Sequence, residues 1–280
     1  MADWEIERKE RLKGEIDVPG DKSISHRSVI LGAIAKGTTK ATLWLKADDV
    51  LRTIRAFQML GVEIKVGDEL LIKGAGKSGL KPANQIIDLG NSGTGIRLIS
   101  GVLAGQPFES VLTGDETLRQ RPMKRIIEPL GLMGAEIKSQ ENGLAPLHIK
   151  GGNLAGIDYK IPVASAQVKS AILLASVFAR GKTRITEPSA TRDHTENMLR
   201  YFSASLKKDG LKIEFDCGQP LSGREILVPG DISSAAFFII AGLIVPGSEI
   251  LIRGVGLNPT RSGILDALKK MGAKIEILNP

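Results

Sequence analysis

The sequence predicts an α/β protein assembled from one repeated unit of strand, helix, strand, helix and closing strands. Two observations carry that expectation. Four segments share one plan: VPGDKSISHRSVILGAIAKG from Val18, LGNSGTGIRLISGVLAGQP from Leu89, IPVASAQVKSAILLASVFARG from Ile161 and VPGDISSAAFFIIAGLIVPG from Val228. Each opens as a short strand, turns through small polar residues, runs as an apolar helix and closes on Gly37, Gly105, Gly181 or Gly247, a period of about 66 to 76 residues. The second observation is a recurring phrase further on in each copy: FQMLGVEIKV, LGLMGAEIKS and LKKMGAKIEI, with LKKDGLKIEF as a looser third version. A glycine that caps a helix, followed by alternation of period two, reads as helix and then strand.

Each element follows from its pattern. The first helix of every copy is apolar nearly all round, which places it in the interior behind sheet. The second helices are amphipathic, as in DDVLRTIRAFQML and TRSGILDALKKM, and belong nearer the surface. Gly61, Gly134 and Gly272 cap them, Pro122 stands near the first position of one, and Asp193 with Glu196 forms a capping pair for another. Three units make one domain, residues 19–227. Residues 1–18 and 228–280 make the start of a second, with one unit of an expected three. A lone unit of this kind does not bury its apolar face, so the chain reads as truncated or dependent on something absent.

Composition sets the outer limits. With 280 residues, 42% hydrophobic and 25% charged, the chain is long enough for one large or two ordinary soluble domains. The longest apolar run, Ala235 to Val245, falls short of a membrane span and stops at Pro246-Gly247. The N-terminus MADWEIERKERLKGE has no apolar signal region, and the single Cys217 excludes an internal disulfide and fits a reducing compartment, so a cytoplasmic protein is expected. The net charge of +7 points to an anionic partner: nucleic acid, acidic lipid or a phosphorylated small molecule.

The repeats act as controls for one another. GDKSISHR crowds Lys22, His26 and Arg27 at a helix start, where positive charge opposes the helix dipole. The fourth copy, VPGDISSAAFF, has Ile232 in place of Lys22 and no cation to match His26 or Arg27, so the scaffold does not require the charge. Asn91-Ser92-Gly93-Thr94 presents backbone N–H groups at a helix start with Arg97 one turn on; it reads equally as an anion site or an ordinary capped turn. Ser165-Ala166-Gln167 with Lys169 repeats the theme, or is simply a polar first turn. Arg121 precedes a second helix, and Arg192 lies in TRDHTE. Equivalent ends of repeats fall on one face, so Lys22, Arg27, Arg97, Arg121, Lys169 and Arg192 are expected to line a pocket for phosphate or carboxylate groups.

Other chemistries fail on spacing. Gly181-Lys182-Thr183 and Gly76-Lys77-Ser78 end like a P-loop, but the glycine five positions earlier is Ser176 in one and Leu71 in the other. No G-x-G-x-x-G follows a strand. His26, His148 and His194 are widely spaced and, with one cysteine, form no zinc set; no metal is expected. There is no G-x-S-x-G elbow, and no basic run or aromatic motif for nucleic acid.

Seven stretches in one order, GDKSISHR, GNSGTGIRL, LTGDETLRQRPM, PVASAQVKSAILLA, RDHTENML, VPGDISSAAFF and VGLNPTRSGILDALKKMGA, resemble the 5-enolpyruvylshikimate-3-phosphate (EPSP) synthase family from Val18 to the end. The resemblance implies two domains, each an inside-out α/β prism of three units, with roughly 140 residues still to follow at the observed period. It implies transfer of the enolpyruvyl group of phosphoenolpyruvate to the 5-hydroxyl of shikimate 3-phosphate, with phosphate released and no cofactor. By the same resemblance, Lys22 contacts both substrates and Ser23 and Arg27 hold shikimate phosphate. Ser165, Ala166 and Gln167 hold its phosphate and ring, with Ala166 where some relatives carry a second serine. Asn91, Gly93, Thr94 and Arg121 line the phosphoenolpyruvate side. Thr191 stands where a serine is frequent, and Arg192 matches the arginine of one subgroup. Lys22 and Arg121 are the expected catalytic residues; the family's acid–base carboxylates lie in later units. A full-length relative is expected to be monomeric, and this chain to self-associate through its uncovered helix. The related transferase acting on UDP-N-acetylglucosamine carries a cysteine or aspartate before an A-R-P turn, where this sequence reads TGDETLRQRPM. A basic module binding nucleic acid is the remaining alternative, and salt-dependent binding to unrelated nucleic acids would mark it.

Overall fold

A computed structural model describes residues 7, 9–216 and 220–279; Cys217 and most of the N-terminal stretch considered above lie outside the described residues. The first copy comprises β1 (Lys13–Asp17), α1 (Lys22–Ile34), β2 (Lys36–Thr42), α2 (Asp48–Met59), β3 (Glu63–Val66) and β4 (Glu69–Ala75). The second comprises β5 (Ile87–Asp88), α3 (Gly93–Ala104), β6 (Glu109–Thr113), the short α4 (Glu116–Arg119), α5 (Lys124–Leu132), β7 (Glu136–Gln140) and β8 (Leu144–Lys150). The third has β9 (Asp158–Lys160), α6 (Ala166–Ser176), β10 (Lys182–Thr186), α7 (His194–Tyr201), β11 (Leu206–Asp209) and β12 (Lys212–Asp216). The fourth runs through β13 (Glu225–Leu227), α8 (Ile232–Ile244), β14 (Glu249–Arg253) and α9 (Gly263–Lys270).

The chain divides into two compact units, one of residues 22–227 and one of the stretches before Lys22 and after Leu227. The larger unit has three four-stranded sheets in the orders β13-β2-β4-β3, β5-β6-β8-β7 and β9-β10-β12-β11. In each, the first pair is parallel and the rest antiparallel. Burial alternates along β4 and β8, so one face of each sheet packs inward and the other meets water. Inside lie α1, α3 and α6, buried along nearly their whole length. The helices touch backbone to backbone at Gly101, where a Cβ would come within 2.3 Å of the Ala171 carbonyl oxygen.

The sheets supply the strand partners that the sequence pattern leaves open. The strand before α1 does not pair with β2. β1 instead pairs in parallel with β14, Lys13 opposite Glu249, in the smaller unit. β13, the strand before α8, pairs with β2 and completes the first sheet. Of the three, only this first sheet takes a strand from another copy; the other two are each built from one copy. Backbone hydrogen bonding, which periodicity does not encode, decides the partner.

Three local expectations also change. LKKD is strand β11, and Gly210 (φ 54) is the hairpin turn rather than a helix cap; the left-handed residue after α7 is Ser203 (φ 75). Pro122 lies two residues before α5, whose N-cap is Met123. Glu196 does not reach back to Asp193 as a capping pair; it is drawn into an ion pair described below. In the smaller unit the alternating KIEI after Gly272 forms no strand. There α8 buries only Ile232 and Ala235 and leaves Phe237 78% and Ile244 72% exposed. Among the described residues no helix is long and apolar enough to cross a membrane.

Candidate functional site

The three buried helices of the larger unit share one trait. None of α1, α3 and α6 has an acidic residue in its first turn, whereas α2 has Asp48 and Asp49 and α7 has Glu196 there. Acidic side chains normally offset the positive helix end. Free N-terminal N–H groups without them form a ready anion site.

At the start of α3, Ser92 caps the helix by accepting from the Gly95 N–H at 3.0 Å. Arg97, only 4% exposed, folds back along the helix. Its Nη1 donates to the Gly93 carbonyl at 3.2 Å and to Gln167 Oε1 at 2.8 Å, and its Nη2 reaches the Pro122 carbonyl at 3.5 Å. Its buried Nε has no hydrogen-bond partner among the described residues. Burial, with Arg125 and Arg121 nearby, lowers this guanidinium to about 10. Gln167 donates in turn to Thr94 Oγ1 at 3.1 Å. Asn91 accepts from Arg121 Nη2 and donates to Thr117 and, at 3.1 Å, to Asp115 Oδ2. A Cβ on Gly93 would lie 2.8 Å from Arg121 Nη1 and 3.0 Å from Arg97 Nη1, so a larger residue would push one or both guanidiniums from where they stand. Asn91, Gly93, Thr94, Arg97, Arg121 and Gln167 are therefore one connected group.

A second group centres on Arg27, 5% exposed. Its Nη1 donates to the Ser23 carbonyl at 2.9 Å, its Nη2 to Ser170 Oγ at 2.9 Å and its Nε to Thr195 Oγ1 at 2.6 Å. Ser170 also donates to the Ala166 carbonyl at 2.7 Å, which ties this group to the first through α6. Ser165 caps α6, accepting from the Val168 N–H at 3.4 Å. Lys22 is half-exposed, with Nζ 3.0 Å from Asp49 Oδ2. Thr191 donates its hydroxyl to Glu187, and Arg192 beside it is exposed. Sequence reasoning passed over Asp49, Ser170 and Thr195. Ser170 stands beside Lys169 and Thr195 inside RDHTENML, which could have pointed to them, whereas nothing in the sequence links Asp49 to Lys22, 27 positions earlier.

Two expectations about cations are corrected. Lys169 does not line the pocket: its side chain is fully buried and paired with Glu187 at 3.0 Å and Glu196 at 2.6 Å. The helix turns, and position 169 faces α7 rather than the α6 N-terminus. His26 is not a cation either. Burial drives its pKa from 6.5 to about 3, against the pull of Asp49 and with the push of Arg27 and Lys22, while Nδ1 lies 2.9 Å from Thr53 Oγ1. The unfolded chain takes up this proton below about pH 6.5 and the folded chain does not. Stability is therefore present above that pH and lost on acidification towards 3, by up to about 1.4 kcal/mol per pH unit. Urea unfolding at pH 7 and pH 5 should show this loss, and His26→Leu should flatten it. An unchanged slope in the variant would contradict a neutral buried imidazole.

Similar sequences, and the same fold, occur elsewhere. The profile described as EPSP synthase (3-phosphoshikimate 1-carboxyvinyltransferase) matches residues 6–279. The 3-phosphoshikimate 1-carboxyvinyltransferase of Geotalea uraniireducens is 54% identical over 283 residues, covering 100% of this chain and 65% of its own. That of Methylococcus capsulatus is 55% identical over 273 residues, covering 96% of this chain and 62% of its own. The EPSP synthase structure from Acinetobacter baumannii superposes with a TM-score of 0.89 at 51% identity, over 94% of this chain and 60% of that one. The chain thus spans about 65% of the length of the curated relatives it matches. Across its whole matched length, the chain belongs to the EPSP synthase family.

Proposed function

We propose that this chain supplies the shikimate 3-phosphate side, and part of the phosphoenolpyruvate side, of an enolpyruvyl transferase that releases phosphate. The observation that supports it best is the Arg97–Gly93–Arg121 cluster at a helix N-terminus whose first turn has no acid. Two polyanionic substrates repel each other. Cations and N–H groups fixed in advance cancel that repulsion and stabilise charge in the transition state without reorganising.

In this reading Asn91, Gly93, Thr94 and Arg121 take the enolpyruvyl phosphate, with Lys22 reaching both substrates. Ser23, Arg27, Ser165, Ala166, Gln167, Thr191 and Arg192 take the phosphorylated ring. Gln167 bridges the two sets, since it touches Arg97 and Thr94 while its neighbour Ala166 is tied to Ser170 and so to Arg27. Residues 19–227 form the shikimate-phosphate domain, and the reaction runs in the cytoplasm without cofactor, nucleic acid or membrane. The exposed face of α8 favours association of this 280-residue polypeptide with itself.

Ligand choice tests the reading. A ligand that binds only the folded state stabilises it by RT ln(1 + [L]/Kd), about 2.7 kcal/mol at a hundredfold excess over Kd. Shikimate 3-phosphate should raise the thermal midpoint of the chain clearly, and shikimate without phosphate much less. Equal shifts, or none at millimolar ligand, would rule the assignment out.

A further inference from the structure

The buried ion cluster beneath the Thr191–Arg192 loop has no place in the binding scheme above, although it holds three fully buried charged side chains. Lys169 on α6 pairs with Glu187 at the end of β10 and with Glu196 on α7, all at 0% side-chain exposure. Lys208 on β11 approaches from the outer side, 3.7 Å from Glu196 and 4.0 Å from Glu187. Such clusters are poor sources of stability, because well-packed apolar residues of similar volume serve as well or better. Their geometric effect is another matter.

The cluster fixes what regular structure leaves loose. Between β10 and α7 the chain has no helix or strand to hold it. Thr191 is gripped twice there: its carbonyl accepts from Lys169 Nζ at 3.5 Å, and its hydroxyl donates to Glu187. One residue along each helix, Ser170 and Thr195 share a hydrogen bond at 2.6 Å, and both accept from Arg27. Lys169–Glu196 and Ser170–Thr195 are thus successive rungs between α6 and α7. The first rung orients the loop; the second orients Arg27.

We propose that Lys169, Glu187 and Glu196 are positioning residues that hold the Thr191–Arg192 loop and the α6–α7 spacing in the geometry that receives the phosphorylated ring. This rests on the function proposed above for the substrate, but the loop geometry can be read without any ligand. A misplacement of about 1 Å can cost a reaction about a hundredfold.

The test uses the 280-residue chain carrying Lys169→Met, Glu187→Leu and Glu196→Leu together, which removes all three fully buried charges and leaves only Lys208, at the rim, without these carboxylates. Two quantities are compared with the unaltered chain: affinity for shikimate 3-phosphate by calorimetry, and amide hydrogen exchange of residues 189–193 without ligand. Expected are a thermal midpoint near the original, faster exchange confined to that loop, and binding weakened about tenfold or more. If the triple variant does not fold, Glu187→Gln is read the same way, since it keeps the volume and leaves Lys169 paired with Glu196. Unchanged loop exchange with unchanged affinity in a folded variant would overturn the proposal and leave the cluster as core only. If the unaltered chain binds no shikimate 3-phosphate, the functional reading fails. Loop exchange then still decides the positioning role.

Discussion

Lys169→Met alone is expected to destabilise the larger unit by about 3–5 kcal/mol, the usual consequence of removing one partner of a buried ion pair. The substitution leaves Glu187 and Glu196 facing each other inside the protein with only Lys208 at the rim. Neither carboxylate can turn to water, because both side chains are fully enclosed. For a domain of this size each kcal/mol shifts the midpoint by roughly 2–4 °C, so a fall of about 6–20 °C is expected. Scanning calorimetry would measure it directly. A shift under 2 °C would mean that the charges are relieved in some way the packing does not show.

Lys22→Met should behave in the opposite manner. Its ion pair with Asp49 is half-exposed, and exposed pairs contribute about 0–1 kcal/mol, so folding should scarcely change. Turnover should collapse, by about a hundredfold or more, if the ammonium faces developing negative charge. The assay is phosphate release from both substrates by this chain joined to the remaining third of the Geotalea relative. Ile232→Lys, which places a lysine at the equivalent position of the fourth repeat, should not rescue it. Near-normal turnover in Lys22→Met would remove that residue from the chemistry.

The two lysines show where sequence is legible and where it is not. The repeat announces α1, α3 and α6, whose apolar faces the sheets and neighbouring helices cover, whereas α8 has the same pattern and stays largely exposed; Gly61, Gly134 and Gly272 do adopt positive φ. The clustering of Asn91, Gly93, Arg97 and Arg121 also follows from local order, since all sit around one helix start and the turn before α5. Lys169 misleads because it stands three residues into a helix whose first turn is polar. Whether it faces the helix end or α7 depends on Glu187 and Glu196, 18 and 27 positions later, and no periodicity links them. His26 misleads in the same way: between Lys22 and Arg27 it reads as a third cation, yet burial beside Thr53 keeps it neutral. Strand pairing is open in the sequence rather than misleading: the domain bounds separate β1 from β13, and the hydrogen-bonded register then names their partners, β14 and β2.

The exchange of β1 and β13 has a kinetic consequence. The parallel pair of β1 with β14 joins residues 236 positions apart, among the most distant contacts a chain of this length can make. Closing so long a loop is entropically costly before any contact rewards it, and such topologies fold slowly. The larger unit has one long closure of its own, β13 against β2 across 185 positions, but its other two sheets are built from strands near one another in sequence, and none of the three needs β1. It should therefore form early in refolding, and by folding it converts a floppy loop into a rigid spacer. The β1–β14 pair should then appear in a later phase, and faster in chains whose larger unit has been stabilised beforehand.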